Sequence, residues 1–231
     1  MVMMDDGFLL KKGWGQIALE MVYDSIFPNK CLFCGRVLDV VRDVACVACG
    51  KLTMSEREFR EDFFDNIGKI HIAYDYNVET VSQAVMRLKY GGKKFLASKI
   101  TRGIFGCLGN FDEPIADCLV CVPLHESRLK ERGFNQAALL ATELSRIYQV
   151  AAYDGMLRTR ETAKQFDLGP KERAENVRGA FALKEGFCVE GLDVLLVDDV
   201  LTTGATVMEC AKVLMMAGAG SVGVLAFAAV M

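Results

Sequence analysis

Two adjacent aspartates, Asp198 and Asp199, are the residues whose type and position most directly indicate chemistry. They follow four consecutive apolar residues at 194–197, a run that predicts a buried strand of a parallel sheet. Ligands bind at the carboxyl ends of such strands in open α/β sheets. Two carboxylates at that end can accept hydrogen bonds from sugar hydroxyls or hold water around Mg²⁺.

A short segment of small residues and hydroxyls follows the acidic pair. It consists of Thr202, Thr203, Gly204, Ala205 and Thr206. The glycine permits backbone geometry closed to other residues, and the threonine hydroxyls can donate hydrogen bonds. The amides that open the next helix can face an anion. Together with the acidic pair, the segment predicts a site for a ribose 5-phosphate group.

Three other interpretations of this stretch are weaker. A Walker B element is disfavoured because nothing in the chain matches GxxxxGK[ST]. The acidic pair of a receiver domain would come early in its domain, whereas only 32 residues follow Asp199. A purely structural strand and turn leaves three threonines around one glycine unexplained.

Four cysteines near the amino terminus have the spacing of a zinc ribbon. Cys31 and Cys34 form CLFC, and Cys46 and Cys49 form CVAC after an eleven-residue gap. Four thiolates close a tetrahedral shell, so the predicted zinc is structural and does not activate water. A redox CxxC is the main alternative, but nothing upstream supplies the βαβ unit that it requires, and iron–sulfur ligation is a further alternative.

Two basic segments lie between these motifs. A predicted polar loop at 125–133 follows an apolar strand at 119–123, so Arg128, Lys130 and Arg132 could face the site at the same sheet edge. Residues 158–178 are polar and basic without apolar periodicity, which predicts a mobile loop or lid beside a polyphosphate. A solvated surface loop is the alternative for each.

The remaining patterns predict an α/β fold with a doubly wound parallel sheet. We expect strands at 71–76 and 221–229, helices at 79–90, 94–108, 135–148 and 207–217, and a short amphipathic helix at 14–27. The predicted division is an amino-terminal helix and zinc module at 1–60, followed by the α/β domain at 61–231.

Composition limits the remaining function classes. The 231-residue chain has a formal charge of −3, 52% hydrophobic residues and no stretch of about 20 apolar residues, so neither nucleic acid nor a membrane is indicated globally. The start of the chain lacks the order of regions of a signal peptide. A cytoplasmic location is the expectation.

Residues 194–206 (VLLVDDVLTTGAT) resemble the phosphoribosyl pyrophosphate (PRPP) signature of the type I phosphoribosyltransferases, and the whole chain resembles the ComF family. The wider resemblance rests on CLFC and CVAC, on LKYGGK at 88–93 and on VPLHESRLKERGFNQA at 122–137. It also rests on the RxRxTxxQ run at 158–165, on Arg173 with Asn176, and on Gly179 with Phe181. The basic segment is similar to the catalytic loop of amidophosphoribosyltransferases.

The resemblance implies a type I phosphoribosyltransferase-like sheet with a small zinc module, and PRPP bound with Mg²⁺. Asp198 and Asp199 would hold the ribose hydroxyls, and residues 202–206 the 5-phosphate. Positive charge opposite the pyrophosphate is expected from Arg128, Arg132 and Lys89, with Arg158, Lys164 and Arg173 in the lid.

Two function hypotheses follow. The first is phosphoribosyl transfer with release of pyrophosphate, for which no residue identifies the acceptor. The second rests on the family's association with natural competence. It is a non-catalytic role in handling single-stranded DNA, beside a helicase-like partner, with the PRPP-like site as a ligand sensor or backbone-binding site.

Overall fold

The protein is a mixed α/β structure built on a five-stranded parallel sheet. The computed structural model describes residues 29–38, 44–53, 68–90, 96–108, 115–161 and 170–230. The strands of the sheet are β1 (Ile70–Asp75), β2 (Cys118–Cys121), β3 (Ala151–Tyr153), β6 (Asp193–Leu201) and β7 (Ser221–Ala229). Their order is β1-β7-β6-β2-β3, and every neighbouring pair is parallel. A separate antiparallel pair joins β4 (Met156–Arg158) and β5 (Phe181–Leu183).

Helices flank the sheet and close its core. They are α1 (Val47–Thr53), α2 (Glu79–Tyr90), α3 (Leu96–Leu108), α4 (Glu126–Arg132), α5 (Gln136–Tyr148), α6 (Pro170–Val177) and α7 (Ala205–Met216). Helices α3 and α5 pack on each other, and α7 packs on β5, β6 and β7. All four residues of β2 are buried, as expected for a strand covered on both faces. The expected parallel sheet flanked by helices is confirmed. None of these described helices is long and apolar enough to cross a bilayer.

The strand order places a topological switch point between β2 and β6. From β2 the chain moves outward to β3, whereas from β6 it moves the opposite way to β7. The loops that follow β2 and β6 therefore diverge at the carboxyl edge of two neighbouring strands. Such a crevice is where open α/β sheets bind ligands.

The four-cysteine segment packs against the sheet and its helices through its first knuckle, the CLFC turn at 31–34. Leu32 and Phe33, which lie between the first two cysteines, are each 1% exposed and belong to the same hydrophobic core as the sheet. The ring of Phe33 meets Tyr74 of β1 at 5.2 Å between centroids, edge to face. The predicted boundary between 1–60 and 61–231, like the helix predicted at 14–27, lies outside the described residues.

Two predicted loops contain helices. Residues 126–132 form α4 because His125 caps its amino terminus and Gly133 adopts the left-handed conformation (φ 77°) at its carboxyl end. Within 158–178, residue 158 ends β4 and residues 170–177 form α6. Both predictions were wrong at these positions, because short helices lack the long apolar periodicity that predicts a helix. Residues 162–169 lie outside the described part.

Candidate functional site: a charged cleft at the switch point

A cleft of about 470 Å³ opens at the carboxyl ends of β2 and β6. Most of the residues expected to form the site line it. The basic ones are Lys89, Arg128, Arg132 and Arg158, the acidic ones are Asp198 and Asp199, and the segment before and at the start of α7 contributes Thr202, Gly204, Ala205 and Thr206. Glu131, which was not expected, lines the cleft as well. These residues come from four separate stretches of chain and meet in one cleft.

The acidic pair is exposed to the cleft because β6 extends beyond β2. The last paired residues of the two strands are Cys121 and Val197, and Val122 N still donates to the carbonyl of Val197. Beyond that point β6 pairs with β7, through Asp198, Val200 and Leu201. The strand was predicted to end before the pair, whereas it continues to Leu201 because β7 runs alongside it to the end. The carboxylates consequently lie on rigid strand backbone.

Asp199 forms an ion pair with Lys89 of α2. The Nζ of Lys89 lies 2.9 Å from Oδ2 of Asp199, and the two side chains are 20% and 11% exposed. Burial by itself lowers the pKa of Lys89, but the negative charges of Asp199 and Asp198 outweigh it and raise this pKa above its ordinary value. Lys89 therefore stays charged in the cleft.

Asp198 occupies the opposite face of the strand, because successive strand residues point to opposite sides. Burial and the neighbouring Asp199 carboxylate raise the pKa of Asp198 to about 7. The backbone amide of Asp199 donates to Oδ1 of Asp198 at 2.8 Å and offsets part of this rise. The two carboxyl groups thus differ in environment although they are adjacent in sequence.

Helix α7 begins at the floor of the cleft through a left-handed glycine. Gly204 has φ 73° and its carbonyl accepts the hydrogen bond of Met208 N. An L side chain is strained at this angle, which explains the glycine. The hydroxyl of Thr203 accepts from Ala205 N at 3.5 Å, and Thr203 is absent from the cleft lining, unlike Thr202 and Thr206.

The short helix α4 directs two of the three basic residues that follow β2 into the cleft and the third away from it. Arg128 and Arg132 are four residues apart and both line the cleft. Lys130 lies between them on the opposite side of the helix, 80% exposed, with Glu126 at 4.0 Å. The expectation that Lys130 faces the site was therefore wrong, because it assumed a loop in place of a helix.

Arg132, which was expected opposite the pyrophosphate, belongs to a polar cluster with Tyr90, Asn135 and Gln136, to which the sequence assigned no roles. Its Nη atoms donate to Oε1 of Gln136 and to the hydroxyl of Tyr90. Two buried donors of this cluster, Nε of Arg132 and Nε2 of Gln136, have no acceptor among the described residues. Asn135 caps α5 and donates to the carbonyl of Val122, which fixes the end of β2. Buried donors without acceptors are uncommon and fit a ligand that supplies acceptor oxygens.

The three residues expected in the lid lie in different parts of the chain's structure or outside the described residues. Arg158 ends β4, lines the cleft and lies over the ring of Phe181, with its guanidinium carbon 5.4 Å from the centroid. Burial, and next the charge of Arg128, lower its pKa from the ordinary value. Arg173 lies on α6, whereas Lys164 lies outside the described residues.

The four cysteines form a second site, which fits a zinc ion. Their sulfur atoms all lie within 4.8 Å of one another, and those of Cys34 and Cys46 are 3.7 Å apart. Sulfurs on a tetrahedron with Zn–S bonds of about 2.3 Å are separated by about 3.8 Å. Gly35 allows the first knuckle to turn at φ 76°, as its amide donates back to the carbonyl of Cys31. A zinc ion held by all four cysteines would have no coordination position left for water.

Curated relatives of the chain carry names related to DNA uptake and use. It is 35% identical over 149 residues to "DNA utilization protein YhgH" of Escherichia coli, covering 62% of this chain and 65% of that protein. It is 26% identical over 213 residues to "Competence protein F" of Haemophilus influenzae, covering 82% and 92%. Identity to "Competence protein ComFC" of Bacillus subtilis is 28% over 147 residues, covering 63% and 57%. The chain thus spans just under two thirds of the YhgH relative's length.

Solved structures with a similar arrangement include the glutamine PRPP amidotransferase of B. subtilis, complexed with ADP and GMP. The TM-score is 0.39 at 20% sequence identity, over 62% of this chain and 30% of that one. No family model matches the chain.

Proposed function

We propose that this chain, a homologue of the ComF competence proteins as its motifs predicted, binds PRPP with Mg²⁺ in the cleft and transfers the phosphoribosyl group with release of pyrophosphate. One observation carries the proposal. The acidic pair, the start of α7 and the two acceptor-less donors of Arg132 and Gln136 line the same cleft. Acceptors for hydroxyls and donors for phosphates are thus within reach of one small molecule.

The ribose phosphate half of PRPP fits the β6 side of the cleft. Asp198 and Asp199 accept hydrogen bonds from the ribose hydroxyls, and their strand backbone fixes the direction of these bonds. Thr202, Gly204 and Thr206 surround the 5-phosphate at the amino terminus of α7, where the helix dipole favours an anion. Gly204 lets the backbone approach the phosphate without a side chain in between.

The pyrophosphate half fits the α4 side. Phosphoribosyl transfer breaks the bond between the anomeric carbon and pyrophosphate, so positive charge builds on the sugar and negative charge on the leaving group. Arg128 and Arg132 stabilise that negative charge, and Nε2 of Gln136 donates to a phosphate oxygen. Mg²⁺ bound with PRPP would supply further neutralisation. Lys89 and Arg158 complete the positive rim.

The last part of the proposal is that the 158–178 segment covers the site. Arg158, Lys164 and Arg173 act from the 158–178 segment, where they shield the reacting groups from water. Lys164 and Arg173 are assigned from the sequence resemblance.

Calorimetry with PRPP and Mg²⁺ tests the binding step. We expect heat with the wild-type protein and none after combined Asp199→Asn and Thr206→Val, two positions that line the cleft. Arg128→Met should weaken binding about tenfold, equivalent to about 1.4 kcal/mol. Lys130→Met is the matched control on the same helix and should bind normally. Absence of heat with the wild type, or equal losses in Arg128→Met and Lys130→Met, contradicts the proposal.

Pyrophosphate release tests the transfer step. PRPP should be screened with nucleobases, ammonia, glutamine and oligonucleotides as acceptors, since no residue of the cleft identifies one. Release that depends on one acceptor and disappears in Asp199→Asn supports transfer. If PRPP binds but no acceptor leads to release of pyrophosphate, the transfer step is contradicted and only ligand binding remains.

A role in handling single-stranded DNA is the second candidate, and the relatives' names favour it. One structural observation adds to them. Tyr90 is 58% exposed at the mouth of the cleft, with the guanidinium carbon of Arg132 at 5.0 Å from its ring centroid. An exposed aromatic ring beside a cation can stack a base and hold its phosphate.

This candidate predicts salt-sensitive binding of a fluorescent oligonucleotide. Replacing Arg128, Arg132 and Arg173 should weaken binding and flatten its salt dependence, because fewer counterions are released. Tyr90→Leu should weaken binding without changing the salt slope. Affinity that is equal at low and moderate salt speaks against the DNA role.

A further inference from the structure

The last turn of α2 lies between the first cysteine knuckle and the acidic pair. Arg87, Leu88 and Lys89 are consecutive, and each helical residue turns by about 100°, so Arg87 and Lys89 point to nearly opposite sides. Leu88 is 1% exposed and packs into the core. Lys89 pairs with Asp199 in the cleft. Arg87 faces the knuckle.

Arg87 ties that turn to the knuckle backbone. Its Nη2 donates to the carbonyl of Leu32 at 2.8 Å and to that of Phe33, while its Nε donates to the carbonyl of Gln83 in its own helix. The two accepting carbonyls of the knuckle lie between Cys31 and Cys34. A zinc ion held by these cysteines would fix the loop between them. It would therefore also fix the carbonyl oxygens of Leu32 and Phe33, which accept hydrogen bonds from Arg87.

A second anchor holds the same knuckle to α3. The Nζ of Lys99 donates to Oδ1 of Asn29 and to the carbonyl of Lys30 at 2.7 Å, just before Cys31. Lys99 thus binds the residues just before Cys31, whereas Arg87 binds the two residues between Cys31 and Cys34. Arg87, unlike Lys99, belongs to the helix turn that carries Lys89.

We propose that Arg87 is a positioning residue, through which the metal-bound knuckle holds Lys89 against Asp199 and so sets the affinity of the cleft for PRPP. The inference rests on the proposed function for the identity of the ligand. The coupling is reciprocal, since a metal that strengthens PRPP binding must itself be held more tightly when PRPP is bound.

Metal removal is the first test. PRPP affinity should be measured by calorimetry for the metal-loaded protein and after chelation, with circular dichroism to verify that the sheet remains folded. We expect affinity to fall about fivefold or more in the metal-free protein, the lower end of typical couplings. Conversely, PRPP should slow the transfer of zinc to a chromogenic chelator.

Arg87→Met separates positioning from folding, because it leaves all four cysteines in place. The variant should retain its metal and lose PRPP affinity to a similar extent, and PRPP should no longer slow zinc release. Arg87→Lys should recover little, since an ammonium lacks the separate Nε donor that holds the side chain to the carbonyl of Gln83 while Nη2 reaches the knuckle. Arg146→Met is the control: Arg146 is an exposed arginine of α5 that pairs with Glu143 in its own helix, and its replacement should change nothing.

Hydrogen exchange gives a readout that does not depend on PRPP. Amides at 88–90 should exchange faster in Arg87→Met and in the metal-free protein, whereas those at 81–85 should stay protected by the core. Unchanged exchange at 88–90 in Arg87→Met overturns the inference whether or not PRPP binds. If PRPP fails to bind the loaded wild type, the proposed function fails, and the exchange result alone decides the inference. A metal-free protein that unfolds leaves the decision to Arg87→Met.

Discussion

The Nζ of Lys89 lies 2.9 Å from Oδ2 of Asp199, which joins the end of α2 to the overhanging end of β6. The ammonium compensates the charge of one of two adjacent carboxylates, and both side chains of the pair are mostly buried. The other, Asp198, keeps a raised pKa. The cleft thus contains one fixed ion pair and one carboxyl group that titrates near neutral pH.

Breaking the Lys89–Asp199 pair should destabilise the protein. Lys89→Met leaves a mostly buried carboxylate without a counterion, and we expect a loss of about 3 kcal/mol in the free energy of unfolding, measured in urea. Adding Asp199→Asn removes the stranded charge and should restore part of the loss. Wild-type stability of Lys89→Met would show that the pair contributes nothing, and equal stability of the single and double variants would show that the carboxylate without its counterion carries no cost.

Asp198 should make stability fall as pH rises towards neutrality. Its pKa is about 7 in the folded protein against an ordinary 3.8, so between these values the folded state binds more protons than the unfolded state. Stability is therefore lost from about pH 4 to about pH 7, by on the order of 4 kcal/mol. Asp198→Asn should flatten this slope in thermal unfolding at pH 5 and pH 8. The exposed Glu185→Gln control should keep it.

Gly204→Ala should affect both stability and anion binding. An L residue at φ 73° costs about 1–2 kcal/mol, and the shifted backbone should weaken PRPP binding about tenfold. Gly186 is the matched control, because it has φ 77° and a Cβ there would meet no neighbouring atom within 4 Å. Gly186→Ala should lower the melting temperature similarly and leave binding intact. Normal binding by Gly204→Ala would remove the start of α7 from the site.

The four-cysteine site should hold one zinc ion per chain. Cobalt substitution should give the intense charge-transfer and ligand-field bands of tetrahedral thiolate coordination, and Cys34→Ser should lower metal content and thermal stability together. Elemental analysis finding less than about half an ion per chain, after purification without chelator, would refute the assignment.

The sequence alone was sufficient for features that depend on local pattern. The apolar run at 194–197, the glycine before α7 and the paired CxxC spacing each predict one backbone geometry, and the structure has them. The helix at 79–90 and the last strand at 221–229 also match their predicted bounds.

Features that depend on partners distant in the chain could not be predicted. Lys89 was expected opposite pyrophosphate, but nothing local indicates that it meets Asp199. Arg87 carries no motif, and its role depends on the docking of a knuckle more than fifty residues earlier. Tyr90 and Gln136 enter the cleft only because α2 and α5 converge there.

Helix α4 has a consequence for the timing and entropy of ligand capture. Had residues 126–132 formed a loose loop, ordering their backbone around a ligand would cost about 1–2 kcal/mol of conformational entropy per residue. Because His125 and Gly133 cap the helix, its backbone is already ordered before a ligand binds. Hydrogen bonds to Gln136 and Tyr90 already hold Arg132, so only the rotamer of Arg128 remains to be selected, at about 0.5–1.5 kcal/mol. Side-chain rotation takes picoseconds to nanoseconds, so on this side of the cleft capture need not wait for slower loop motion.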